Sequence, residues 1–182
     1  MAAEPEHVTL QQIVDIREIE DVLKRYIRGY DRGDEALMLG CYHDGAVDMH
    51  GTFDGLAVDF VKDTLRRAAI NGVGIHPISN ITIEFERDGL AWSEAYFISF
   101  NRFVDDKKQV DLMVAGRYLD RFERRRGVWK IAHRQVVYDF MQEGLATDRW
   151  ERPPFAGKVK RGIRSSEDYV FARRRDFQKA EN

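Results

Sequence analysis

Apolar positions along the first part of the chain recur three and four residues apart: Leu10, Ile13, Val14, Ile16, Ile19, Val22, Leu23, Tyr26, Ile27 and Tyr30. That spacing predicts an amphipathic helix over residues 9–30, with Thr9 as its N-cap and Gly29 and Gly33 weakening its last turns. A short helix follows over residues 34–41. His43-Asp44-Gly45 reads as a turn into a strand at residues 46–50, Gly51-Thr52-Phe53-Asp54-Gly55 as a tight reversal, and residues 56–70 as a second amphipathic helix ended by Asn71-Gly72-Val73-Gly74.

The period then changes from helical to alternating. Residues 77–87, 91–104, 110–124 and 128–141 are rich in β-branched and aromatic side chains, with turns at Arg87-Asp88-Gly89, Asp105-Asp106-Lys107-Lys108 and Arg125-Arg126-Gly127. Helices first and long strands afterwards predict an α+β domain whose curved antiparallel sheet wraps onto its helices and encloses a conical pocket. In the last strand Ala132, Arg134, Val136, Tyr138 and Phe140 share one face, and Ile131, His133, Gln135 and Val137 the other. The pattern alone leaves open which face looks inward.

Composition narrows the function classes. A chain of 182 residues, 43% hydrophobic and 33% charged, supports one globular domain with a tail. A formal net charge of -2 gives no general attraction to nucleic acid or to anionic membrane, and neither is expected as a partner. Residues 1–7 lack the basic start and apolar core of a secretory leader, no apolar run is long enough to span a bilayer, and Cys41 has no partner for an intrachain disulfide; a cytoplasmic protein is the expectation. Cys41, in an apolar stretch, reads as a packing residue. Beyond Met141 the character shifts to a segment with Trp150, Pro153-Pro154 and a basic series, Lys158, Lys160, Arg161, Arg164 and Arg173-Arg174-Arg175, interleaved with acids and aromatic anchors. The division expected is a domain over residues 1–143 and a C-terminal arm over 144–182.

Two residues carry the chemistry best: Asp31 near the end of the first helix and His76 between the second helix and a strand. If the fold joins them, the carboxylate would orient an imidazole able to take a proton near neutral pH. There is no His-Glu-x-x-His, no paired Cys-x-x-Cys and no Gly-x-Gly-x-x-Gly between a strand and a helix, so neither a metal nor a nucleotide cofactor is expected. His133, His43 and His7 read as structural or surface residues, and His50 as one that could reach a cavity mouth.

The helix ending Tyr26-x-x-x-x-Asp31, the Gly51 to Gly55 turn, Ile75-His76-Pro77-Ile78-Ser79-Asn80-Ile81-Thr82-Ile83-Glu84-Phe85 and Glu123-Arg124-Arg125-Arg126-Gly127-Val128-Trp129-Lys130-Ile131 together resemble the SnoaL-like family of the nuclear transport factor 2-like superfamily, over residues 13–140. The resemblance is greatest to the branch of scytalone dehydratase, bile acid 7α-dehydratase and gamma-hexachlorocyclohexane dehydrochlorinase. It implies a cystatin-like α+β barrel and a cofactor-independent lyase in which a His-Asp dyad, here His76 and Asp31, removes a proton from carbon as a hydroxyl or halide leaves from the next. It further implies substrate-facing roles for Tyr26 and Arg134, the latter stabilising negative charge and making the Ala132, Arg134, Val136, Tyr138 face the inward one. Tyr26 also lies on the apolar helix stripe, where plain packing is the other reading.

Tyr30, His50, Phe97, Val136 and Tyr138 are the expected substrate-binding residues. A hydroxylated cyclic molecule such as a steroid or polyketide is the implied substrate. The resemblance also implies a homo-oligomer, a trimer before a dimer, with the arm over the pocket or on a neighbouring subunit. Two other readings stay open: a double-bond isomerase of the ketosteroid isomerase type, and a non-catalytic binding or assembly subunit like the small subunit of ring-hydroxylating dioxygenases.

Overall fold

The computed structural model describes residues 8–71 and 74–180; His7 and Val73 lie outside them. The first helix, α1, covers Leu10–Arg32. Thr9 caps it, its hydroxyl accepting from the Gln12 N–H while the Gln12 side chain accepts from the Thr9 N–H. The apolar stripe Ile19, Val22, Leu23 and Tyr26 is buried, whereas Leu10, Ile13 and Val14 at the start of the same stripe stand in solvent. The end of α1 needs its glycines. Gly33 adopts φ +68° as the left-handed C-cap, and a β-carbon on Gly29 would press into Met38 of the following helix, α2 (Glu35–Leu39).

Strand β1 (Tyr42–His50) pairs antiparallel with β2 (Phe53–Leu56), and α3 (Ala57–Asn71) follows. The expected turn at His43-Asp44-Gly45 is instead an irregularity inside β1: pairing with the last strand jumps from Tyr42↔Ile131 to Val47↔His133, with Gly45 at φ +74°. The rest of the sheet is β3 (Gly74–Ile75), β4 (Ile78–Arg87), β5 (Leu90–Asp105), β6 (Lys108–Arg125) and β7 (Val128–Leu145). Spatial order is β2-β1-β7-β6-β5-β3, with β4 also on β5, and the described strands do not close into a ring.

The sheet is mixed rather than antiparallel throughout, because β1 and β7 run parallel. β1 and β7 are joined by the whole intervening domain, so no hairpin dictates their direction. β7 also continues two residues past 143, Gly144 pairing with Asp111 and Leu145 with Val110.

Small side chains on the inner face of β5, Ala91, Ser93, Ala95 and Ser99, let the helices approach the sheet. α1 is tied down by Asp15, whose carboxylate accepts from Trp129 Nε1 (3.0 Å) and Arg124 Nη1 (3.1 Å). Cys41 is fully buried, its thiol donating to the Leu37 carbonyl, and burial pushes it up to about 11, which is a packing role. Beyond β7 the arm folds back on the domain and ends in α4 (Tyr169–Ala180): Asp148 pairs with Arg102, Asp168 lies 3.6 Å from Arg32, and Arg28 faces the Phe171 ring. No helix among the described residues is long and apolar enough to cross a membrane.

Candidate active site

A cavity of about 580 Å³ opens where the sheet bends away from the helices. Tyr26 and Tyr30 of α1 form one wall, Phe60, Thr64, Arg67 and Ala68 of α3 another, and His50, Gly51 and Thr52 of the β1–β2 turn part of its rim. The sheet contributes Phe97, Ser99, Asn101, Arg102 and Phe103 of β5, Leu112, Val114 and Tyr118 of β6, and Tyr138 and Met141 of β7. Arg164 reaches in from the arm.

His76 enters at a break in the sheet edge. β3 pairs with Phe100 and Asn101 of β5, β4 with Phe97 and the residues before it, and His76-Pro77 fills the gap between them. Pro77 has no N–H to give a ladder and holds the preceding residue extended, so the edge interrupts at this point and His76 turns inward while Ile75 and Pro77 remain exposed. There it meets the end of α1. Asp31 Oδ1 lies 2.7 Å from His76 Nδ1, and Asp31 Oδ2 accepts the His76 backbone N–H at 3.2 Å. A carboxylate that accepts both fixes the tautomer with the proton on Nδ1 and the lone pair on Nε2.

The described residues give Nε2 no hydrogen-bond partner, and its ring lies edge-on to Tyr30, centroids 4.3 Å apart. Burial lowers the affinity of His76 for a proton; Asp31 opposes that, and the Arg164 guanidinium and His50 add to it, leaving the net shift downward. The ring is neutral at pH 7. Asp31 does not line the cavity; it faces a shallower hollow behind His76.

The other expected site residues divide. Tyr26, Tyr30, His50, Phe97 and Tyr138 all line the cavity. His50 stacks on Phe60 at 4.3 Å and its Nδ1 lies 3.2 Å from Asp48, which in turn accepts from the Tyr42 hydroxyl. Burial pushes the Tyr26 phenol far above its ordinary range and Tyr138 up to about 12, so both keep their protons. Val136 is core, 4% exposed and outside the lining.

Arg134 also lies outside the lining. It is on the inward face, as expected, yet fully buried below the cavity floor, where Asp120 takes its Nε and Nη2 at 2.7 Å each. The Tyr26 and Tyr118 rings sandwich it at 4.1 and 4.2 Å. Burial acts against its charge, but Asp120 and the phenols more than offset that, so Arg134 stays protonated. It buttresses Tyr26 and Tyr118 rather than facing a ligand.

Two irregularities in β7 explain its faces. The register slips near Ala132, which brings Ile131 into the core alongside Trp129 instead of outward with His133. It slips again past Tyr138, so Met141 and not Phe140 turns to the cavity.

Sequence reading missed several lining residues, among them Phe60, Asn101, Tyr118 and, from the arm, Arg164. Arg164 stood in a basic series, and no periodicity signals that the arm returns across the cavity. Among the described residues no three His, Cys, Asp or Glu side chains come together as a metal site.

A family model described as a SnoaL-like domain matches residues 11–135. No curated protein matches the chain by sequence. Among solved structures it is similar to a hexachlorocyclohexane dehydrochlorinase (LinA) Type2, 19% identical, TM-score 0.68, with 80% of this chain and 98% of that one covered. A Novosphingobium aromaticivorans protein named as a candidate scytalone dehydratase is 20% identical, TM-score 0.64, over 71% of this chain and 87% of that one. A Nostoc punctiforme protein of cystatin-like fold is 15% identical, TM-score 0.54, over 73% and 95%. At such identities the likeness establishes the fold.

Proposed function

We propose, for a chain that belongs to the SnoaL-like domain family, a cofactor-independent lyase of the dehydratase type acting on a small hydrophobic cyclic substrate such as a steroid or polyketide. The observation that carries the reading is the asymmetry of His76: Asp31 occupies its Nδ1 and backbone N–H, and Nε2 is left toward the cavity. In this reading Nε2 takes a proton from a substrate carbon, the C–H electron pair forms the new double bond, and the hydroxyl on the adjacent carbon leaves with its bonding pair. Asp31 stabilises the transient imidazolium. The proton held on Nε2 then passes to the departing hydroxide, water is the second product, and the enzyme ends as it began.

Tyr26 serves as a hydrogen-bond donor to the leaving oxygen, since a phenol so reluctant to ionise can donate without losing its proton. Phe97, Tyr30 and Tyr138 supply aromatic walls for a ring system. The dehydratase and dehydrochlorinase names among the structural neighbours support elimination over other uses of the fold.

A homo-oligomer, a trimer before a dimer, belongs to the same proposal, supported by the half-exposed Trp92, Tyr96, Ile98 and Phe100 along the outer face of β5. So does a cytoplasmic setting, supported by the single buried cysteine. Sedimentation at micromolar concentration tests the assembly, a monomer refuting it. The chemistry is tested by incubating hydroxylated steroids and cyclic hydroxyketones with the protein and with His76→Ala and Asp31→Asn. Loss of water that collapses in both variants is expected. A double-bond shift without loss of water would replace the lyase with an isomerase, and turnover indifferent to both substitutions would refute the dyad.

A further inference from the structure

Three arginines line the cavity, and no aspartate or glutamate does. Arg67 is engaged by Asp63 at 3.0 Å, and Arg102 by Asp111 and Asp148. Arg164 has no carboxylate partner among the described residues. Its side chain is half-buried, and its Nε and Nη2 are shielded from solvent and have no hydrogen-bond partner among the described residues. Arg25 and Arg121 also have a shielded Nε, but Arg25 Nε lies 2.8 Å from the Asp21 carboxylate and Arg121 Nη2 3.0 Å from that of Glu123. Arg164 is therefore the cavity arginine whose charge nothing in the described protein answers.

The fold makes room for it. A β-carbon at Gly74 would collide with Arg164 Nη2 and with Asn101 Oδ1, so the bare glycine at the edge of β3 is what admits the guanidinium. The guanidinium carbon lies 5.0 Å from the centre of the Tyr30 ring, the same ring that meets His76 edge-on. Tyr30 thus touches both the cation and the proposed base. Withdrawing a cation from water is unfavourable unless an opposite charge answers it. A guanidinium fork fits a carboxylate with two parallel hydrogen bonds, and the remaining walls are largely aromatic and aliphatic.

We infer that Arg164 forms a carboxylate-binding subsite and that the cavity takes an apolar ring system carrying a carboxylate. The inference rests on the lyase reading for the use to which the cavity is put, and names the substrate class within it. The acid group at Arg164 anchors one end of the ring in the cavity that His76 also lines, and so sets which ring carbon meets Nε2. A neutral ester or amide of the same shape leaves the guanidinium unanswered and is discriminated against.

The test is equilibrium binding to the full chain at pH 8, where His76 is neutral, using 2-naphthoate and its neutral counterpart 2-naphthamide as probes in calorimetric titration. The expected result is at least about a tenfold preference for the anion, abolished in Arg164→Gln, partly kept in Arg164→Lys, and unchanged in Arg17→Gln, an exposed arginine outside the cavity. Absence of a preference in the unmodified protein, whether both probes bind or neither does, overturns the inference without any variant. A preference that survives Arg164→Gln, with the fold verified by circular dichroism, overturns it as well. His76→Ala separates the two proposals: the anion preference persists there if the subsite is real, whether or not the chain proves to be a lyase.

Discussion

Among the described residues two basic side chains are buried against a carboxylate, the charged Arg134 on Asp120 and the neutral His76 on Asp31, and only one of these pairs faces open space. Arg134 and Asp120 are both 0% exposed, locked by two hydrogen bonds and covered by tyrosine rings on two sides. His76 and Asp31 are 6% and 13% exposed, nearly as enclosed, but Asp31 engages only one edge of the imidazole and the other edge meets a cavity. Burial and a carboxylate partner are thus common to both. What distinguishes a reactive group from a structural one is hydrogen-bonding capacity left unused, next to a volume that a ligand can enter. By that criterion Arg134 is a strut, while His76, the proposed base, and Arg164 share the unused capacity that Arg134 lacks.

The comparison breaks most visibly if His76 is removed. His76→Ala should lower kcat by about a hundred- to ten-thousandfold, the usual range for a positioned base, while the denaturant midpoint falls only by what the lost Nδ1–Asp31 bond and the Tyr30 contact contribute, since Nε2 supports nothing in the fold. A variant that keeps its turnover would reduce His76 to a second strut. Arg134→Met should do the reverse. Leaving Asp120 buried without its partner is expected to cost about 3–5 kcal/mol in urea unfolding, and replacing both with apolar residues, as in Arg134→Met with Asp120→Leu, should recover much of that. A stable Arg134→Met protein with lowered kcat would instead return Arg134 to the reaction.

Asp31→Asn sharpens the contrast from the other side of the imidazole. Asp31 accepts from two donors at once, Nδ1–H and the His76 backbone N–H, and an amide has one oxygen. Whichever way Asn is turned, one donor faces another. Either the ring flips its tautomer and presents N–H to the cavity, or the strand edge at His76 shifts. A loss of about a hundredfold in kcat with KM little changed is expected, smaller than for His76→Ala because the ring itself remains.

Much of this arrangement was legible in the sequence, for physical reasons that also mark the limit. The buried stripe Ile19, Val22, Leu23 and Tyr26 follows from the helical period, and the hairpins of β4 to β7 from their glycine and charged turns, because both signals are local. The meeting of Asp31 with His76, 45 positions apart, could not come from periodicity and rested on family resemblance. Arg134 shows how far alternation reaches. It groups Arg134 with Ala132, Val136 and Tyr138, and the family resemblance turned that face inward, but the cavity occupies only part of that face, and height along a strand depends on register: Asp120 lies directly opposite Arg134 in the β6–β7 ladder. The slips near Ala132 and Tyr138 each reverse the alternation beyond them, which no period-two argument contains. Arg164 depends on where an irregular arm returns, a purely tertiary fact.

The smallest expected effect concerns pH, and it probes whether His76 and Arg164 share one cavity. The form of His76 that can act is neutral, so turnover should be present above its pKa and lost as pH falls through it. Burial lowers that pKa and the Arg164 charge lowers it further, against the pull of Asp31. The acidic limb of kcat/KM should therefore lie below the ordinary histidine value of about 6.5. Removing one contributor to the depression must move the limb the other way: in Arg164→Gln it should shift upward, toward the ordinary value, measured with a neutral substrate so that loss of anion binding does not intervene. Raised ionic strength should shift it in the same direction but less, since a shielded cation is poorly screened. An acidic limb that stays put in Arg164→Gln would mean that the guanidinium does not face the imidazole, and the grouping of Arg164 with His76 rather than with Arg134 would fail with it.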